Sequence, residues 1–249
     1  MEPTADAVLK ALDAAADAAD AVALARYFKT GPGEYGEGDV FVGVRMGPVT
    51  AIAKQSIGMS VTELERLLES TVHEARSVAI GIMNAEASKK GTSPTRRREL
   101  YDLYLRRHDR INNWDLVDGG CRSVLGGYLA DKPRDVLYRL AASDSLWERR
   151  SAIVTTWTFI RAGESRDVLA LAELLLGDRE DLIHKAVGWM LRELGDMDRG
   201  ALLGFLETHA ATMPRTMLRY AVEKLDREER ERFMGMRKLA STLAKDANA

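Results

Sequence analysis

Asn113-Trp114-Asp115-Leu116-Val117-Asp118-Gly119-Gly120 lies near the midpoint of a 249-residue chain, and the element around it recurs. A basic residue opens an apolar run at Arg76 (Ser77-Val78-Ala79-Ile80), Arg150 (Ser151-Ala152-Ile153-Val154), Lys185 (Ala186-Val187-Gly188-Trp189) and Arg219 (Tyr220-Ala221-Val222). The intervals are 74, 35 and 34 residues. The first is about two periods, and counting 34 back from Arg150 lands on Leu116. In that copy an apolar residue fills the basic slot, with Trp114 and Asp118 on either side of it. If the element is a helix, Trp114 and Asp118 stand four apart and share a face. One copy has exchanged its cation for an indole and a carboxylate, and this exchange marks the candidate site.

The rest of the chain reads as helix. Thr4 to Lys29 carries apolar residues at helical spacing and forms one long or two short helices. Ser60-Val61-Thr62-Glu63 is a capping box that starts a helix at Val61. The next helix runs from near Thr71 to about Lys89. Ser93 and Pro94 cap and open another, and later breaks fall at Asp131-Lys132-Pro133, Ser143-Asp144-Ser145, Gly163-Glu164-Ser165, Gly177-Asp178, Gly195-Asp196 and Thr212-Met213-Pro214. Paired helices with a repeat of about 35 residues predict an all-α fold, a HEAT-like helical-repeat solenoid with a concave basic face. A single domain is expected over 1–240, with a frayed tail over 241–249. Residues 30–47 interrupt it as a Gly-rich loop insertion, in which Val40-Phe41-Val42-Gly43-Val44 could be extended. No Lys-Ser or Lys-Thr pair follows those glycines and no strand precedes them, so a phosphate-cradling loop is a weak reading.

Composition excludes several classes. No apolar run approaches a membrane span, and the acidic start of the chain is unlike a signal peptide, so a cytoplasmic protein without a membrane partner is expected. The lone Cys121 rules out an internal disulfide and reads as a buried filler. His73, His108, His184 and His209 have no metal-site spacing and read as ordinary surface or packing residues, so neither metal nor cofactor is expected. The net charge is −2, yet residues 1–71 hold 6 basic against 11 acidic residues while 72–110 hold 9 against 5. That asymmetry allows one positive face on a weakly acidic molecule.

In a solenoid, equivalent residues of successive repeats line one wall. Arg76, Arg150, Lys185 and Arg219 then make a cationic row, with Arg192 and Arg215 about a turn away, suited to the phosphates of duplex DNA. The competing reading pairs each cation with a neighbouring carboxylate. Trp147 and Trp157 are expected in the core. Trp114 and Trp189 lie on the face of the ionic row and suit contact with a sugar or a cation.

Three separated stretches, Asn113 to Asp118, Trp147-Glu148-Arg149-Arg150-Ser151-Ala152 and Lys185 to Glu193, together resemble the AlkD-type DNA alkylation-repair glycosylases, a HEAT-like-repeat family. Ala25-Arg26-Tyr27-Phe28-Lys29 and Pro214 to Lys224 are similar to it as well. The resemblance implies removal of 3- and 7-alkylated purines from double-stranded DNA by a monomer. It implies that Asp118 is the catalytic carboxylate, that Trp114 and Trp189 flank the lesion nucleotide, and that Arg150 and Arg192 hold the backbone nearby. It also implies that the lesion is processed from the backbone side without capture in a deep pocket. The chemistry agrees with this assignment. Such a purine is already cationic and leaves readily, so a carboxylate need only stabilise the oxocarbenium-like sugar and place a water. The Gly-rich segment departs from the family's pattern, and Asn113 stands where another aromatic would fit. Two other readings compete: a non-catalytic relative that binds distorted duplex, and a protein-binding scaffold.

Overall fold

The computed structural model describes residues 2–246, with side chains described to residue 236. Among them the chain is helical, with no β-strand and one isolated bridge between Val40 and Val72. The all-α helical-repeat fold expected from the periodicity is therefore the observed one. Where the sequence predicts a single array over 1–240, the contacts form two compact units, Met1–Lys132 and Pro133–Ala249.

The first unit opens with α1 (Ala5–Ala14) and α2 (Ala18–Tyr27), so Thr4 to Lys29 is two short helices. Asp17 caps the second through Ala19 and Asp20, which breaks the run. After the Gly-rich loop come α3 (Met46–Gln55), α4 (Val61–Glu69), α5 (His73–Ser88), α6 (Pro94–Arg106) and α7 (Trp114–Cys121). Ser60 and Ser93 cap α4 and α6 as their sequences predict. A π-helical turn, Arg122–Gly126, carries α7 into α8 (Gly127–Leu129). Such turns widen a helix locally and often accompany functional sites. The hub is α5, whose Val78, Ala79, Ile82 and Met83 are buried against α3, α4 and α7. Burying each of its larger aliphatic side chains contributes about 1.5–3 kcal/mol. Cys121 is buried, as its reading predicts.

The second unit contains α9 (Asp135–Ala141), α10 (Leu146–Thr155), α11 (Trp157–Arg161), α12 (Arg166–Leu174), α13 (Asp181–Met197), α14 (Arg199–His209), α15 (Arg215–Ala221) and α16 (Arg227–Asp246). Of the tail predicted over 241–249, residues 247–249 lie outside the described residues. Its hub is α13, which packs on α10, α14 and α15. Gly188 makes the α13–α15 approach possible, since a Cβ there would sit 2.4 Å from the Met217 carbonyl oxygen. The break expected at Gly195-Asp196 falls two residues later, since α13 continues to Met197. Gly195 instead packs against Leu202 of α14, so it serves close approach and not termination. Trp147 and Trp157 are half-buried and not the fully buried residues their size suggests.

Candidate functional site

Asn113 is fully buried and caps α7, its side-chain oxygen accepting from the Trp114 amide at 2.9 Å. Trp114 and Asp118 follow on one face, both half-buried. The indole is the outer member of a ring stack. Phe28 lies 5.3 Å from it at 18°, and behind Phe28 the rings of Phe41 and His73 cluster, 5.0 Å from Phe28 each and 4.5 Å from one another. Tyr27, 63% exposed, meets the indole edge-on.

His73 is where the site departs most from its sequence reading. Its Nδ1 lies 2.9 Å from Asp39 and its Nε2 2.8 Å from Asp115. Asp39 also accepts from Arg76 at 2.5 Å and from Asn112 at 3.2 Å. Burial alone would push the His73 pKa down, but the hydrogen bonds and charges of Asp115 and Asp39 outweigh it and raise it. Burial would raise the Asp39 pKa, but His73, Arg76 and Asn112 outweigh that effect and lower it. The Gly-rich loop carries Asp39 to this point. Gly36 lets it pass close to the backbone, because a Cβ there would come 2.3 Å from the Phe28 carbonyl oxygen. Glu74, next to His73, accepts from the amides of Val42, Gly43 and Val44. The loop therefore clamps the first turn of α5 to the first turn of α7.

Beside Trp114 opens a cavity of about 360 Å³, walled by Leu24, Tyr27, Phe28, Phe41, Val44, Met46, Val49 and Trp114, with His73, Glu74, Ser77 and Asp115 as its polar members. Its volume falls in the range of small-ligand sites, about 300–1,000 Å³. No motif or spacing in the chain pointed to such a cavity. Its walls come from α2, the Gly-rich loop, α3, α5 and α7, a convergence with no period to reveal it.

The cationic row divides by environment. Arg76 and Arg150 are 2% and 5% exposed, so the surface positions expected for them are not found. Each lies near the start of a buried helix where a guanidinium can satisfy polar groups: Arg76 binds Asp39 and the Ser70 carbonyl, and Arg150 donates to the Leu182 carbonyl at 2.7 Å. In the second unit Lys185, Trp189 and Arg192 occupy one face of α13, four and seven residues apart. Lys185 pairs with Asp181 at 2.8 Å, Trp189 donates to Glu193 at 3.1 Å, and Arg192 pairs with Glu223. The alternative reading, pairing with a carboxylate, thus describes three of the candidate cations, Arg76, Lys185 and Arg192. Arg215 is exposed and donates to the Met234 carbonyl, while Arg219 is exposed one turn further along α15. Trp114, Asp118 and Arg76 therefore belong to the first unit, and the remaining candidates to the second.

The fold of paired helices is that of a helical-repeat protein, and its capped α7 carries an indole and a carboxylate on one face. The sequence model of the DNA alkylation repair enzyme family matches residues 8–225, and the chain belongs to that family. No curated protein matches it. A solved structure from Enterococcus faecalis, described as a predicted DNA alkylation repair enzyme, is similar at a TM-score of 0.65 with 19% sequence identity, covering 85% of this chain and 97% of that one. At that identity the likeness concerns the fold.

Among the described residues no helix is long and apolar enough to cross a membrane.

Proposed function

We propose that this DNA alkylation repair protein is a monofunctional DNA glycosylase, which hydrolyses the N-glycosidic bond of 3- and 7-alkylated purines in duplex DNA. The observation that carries the reading is the Trp114–Asp118 pair, one helical turn apart on α7, half-buried and anchored at its N-cap. The lesion purine is cationic and leaves as a neutral base, taking the bonding pair. Asp118 stabilises the positive charge that develops on the deoxyribose and orients the water that adds to the anomeric carbon. The proton lost by that water passes to Asp118 or to solvent. Trp114 lies against the lesion nucleotide; in the second unit Trp189 offers an indole, and Lys185, Arg192, Arg215 and Arg219 offer cations, to the sugar-phosphate backbone. Arg150 acts from within by bracing the start of α13, and Arg76 by holding Asp39. Attack from the sugar side does not require that the base be captured in a deep pocket, and no metal or cofactor takes part. Selection comes largely from the lability of the bond and the charge on the base.

The test is excision from methylated duplex compared with duplex carrying an uncharged lesion. Release of 3- or 7-methylpurine, with little release of the uncharged base, is the expected result. Activity on uncharged lesions and none on cationic ones would overturn the reading.

A further inference from the structure

The excess of basic residues over 72–110 has no part in the cleavage chemistry, and in the folded chain it collects at one end of the first unit. Arg96, Arg106 and Arg107 are paired with Glu86, Glu65 and Glu69. Lys89 and Lys90 are exposed and have no carboxylate partner among the described residues. Arg97 donates to the carbonyl oxygens of Ala87, Lys89 and Thr92, bracing the loop after α5 against α6. Its charge is met by peptide dipoles and by no carboxylate.

Beside this loop, where α6 begins and α8 ends, opens a depression of about 600 Å³. Arg97, Arg98 and Lys132 line it, with Thr95, Tyr128 and Asp131 among its other members. Arg98 and Lys132 are exposed, and each has one exposed carboxylate nearby, Asp102 and Asp131. Exposed pairs of this kind hold weakly and yield to a more highly charged partner. Five cations, Lys89, Lys90, Arg97, Arg98 and Lys132, thus stand here against two carboxylates.

The surroundings of these cations select the partner. None of the large apolar residues exposed in the first unit lines the depression, so a protein partner finds no anchor to bury. Tyr128 offers no bare ring either: Tyr101 stacks on it at 4.2 Å, and the Lys132 ammonium stands 4.5 Å from its centroid. A base has nothing to stack on, and what the surface presents is positive charge, the complement of a row of phosphates. Position agrees. From Trp114 the chain runs through α7, the π-helical turn and α8 to Leu129, so about 22 Å separates the indole from the depression. That is less than one turn of duplex, about 34 Å.

Resting on the reading that duplex DNA is the substrate, we propose that Lys89, Lys90, Arg98 and Lys132, on a loop braced by Arg97, form a second phosphate-binding surface for the duplex that carries the lesion. It grips the backbone at a distance from Trp114 and Asp118 and reads no base. The affinity it adds is therefore independent of sequence and of damage.

Undamaged duplex is titrated with the full-length protein by fluorescence anisotropy at several salt concentrations. The triple variant Lys90→Ala, Arg98→Ala, Lys132→Ala is expected to weaken binding and to lower the slope of log K against log salt by about two to three. The charge-preserving Lys90→Arg, Arg98→Lys, Lys132→Arg keeps the wild-type slope, and Lys10→Ala, at an exposed cation on α1, stays close to it. A wild-type slope in the alanine variant, a charge-preserving variant that loses as much as the alanine one, or a loss per charge at Lys10 equal to that at the patch overturns the proposal. Excision of methylpurines from methylated duplex, measured alongside, separates the two readings. Wild-type protein that excises, with an alanine variant of unchanged slope, refutes the patch alone; a lowered slope in the alanine variant of a protein that excises nothing supports the patch and refutes the glycosylase.

Discussion

His73 Nε2 lies 2.8 Å from Asp115 Oδ2, and through this bond the first turn of α5 holds the first turn of α7. The same imidazole reaches Asp39 of the Gly-rich loop at 2.9 Å and stacks on Phe41, and both rings lie against Phe28, which stacks on Trp114. The orientation of the candidate site is thus set by a buried polar group that takes no part in the proposed cleavage.

His73 should make the first unit pH-sensitive at the alkaline end. Its pKa is raised above the ordinary 6.5, so the stability it contributes is complete below about 6.5 and lost as pH rises through the folded-state value. Asp39 acts oppositely. Its pKa is lowered from 3.8, so its contribution is present above that value and lost as pH falls through the folded-state value. His73→Leu should flatten the loss on the alkaline side in thermal melts run across pH. A melting profile that keeps the wild-type alkaline slope contradicts this role.

Asp39→Ala should destabilise the first unit by about 3–5 kcal/mol, because it strands Arg76 without its buried counter-charge. Urea unfolding followed by hydrogen exchange at α5 and α7 measures the effect. A change below about 1 kcal/mol would mean that solvent replaces the carboxylate at Arg76.

The helical architecture was legible because its signals are local: the 34–35-residue recurrence, the caps at Ser60 and Ser93 and the break at Pro94 all act within a turn or two. The pairing of Trp114 with Asp118 followed from helical spacing alone. His73 was not legible, since its partners lie 34 and 42 residues away, one of them in a loop without periodicity. Arg76 and Arg150 were misplaced for a related reason. Recurrence marks equivalent positions in a repeat, but whether a guanidinium reaches solvent depends on what an adjacent helix or loop offers it. The nearest available signal was the spacing of His73 and Arg76, which puts two polar side chains on one face of an otherwise apolar helix.

Gly188→Ala should weaken the second unit, because the added methyl would meet the Met217 carbonyl at 2.4 Å and the Tyr220 Cβ at 2.5 Å. Overpacking of this kind typically costs about 1–3 kcal/mol. Hydrogen exchange should show faster opening across α13 and α15, with the amides of α5 and α7 unchanged.

Arg219→Ala should reduce duplex affinity and lower the slope of log K against log salt by about one. Lys185→Ala should do less, because Lys185 already shares its charge with Asp181. Fluorescence anisotropy at several salt concentrations distinguishes them. Equal, salt-independent losses would mean that these residues act on folding and not on phosphate.

Trp114→Ala should lower the rate of excision more than it lowers duplex affinity, since the indole is proposed to act on the lesion nucleotide. Equal losses in single-turnover rate and in binding would assign it a structural role.

The most direct measurement is single-turnover release of methylpurine from methylated duplex by wild-type protein and by Asp118→Asn, with duplex affinity measured in parallel. A fall in rate of about a hundredfold or more at unchanged affinity is the predicted result, the size expected when a group that stabilises transition-state charge is removed. Release by Asp118→Asn at the wild-type rate would contradict the central claim that this carboxylate drives the reaction.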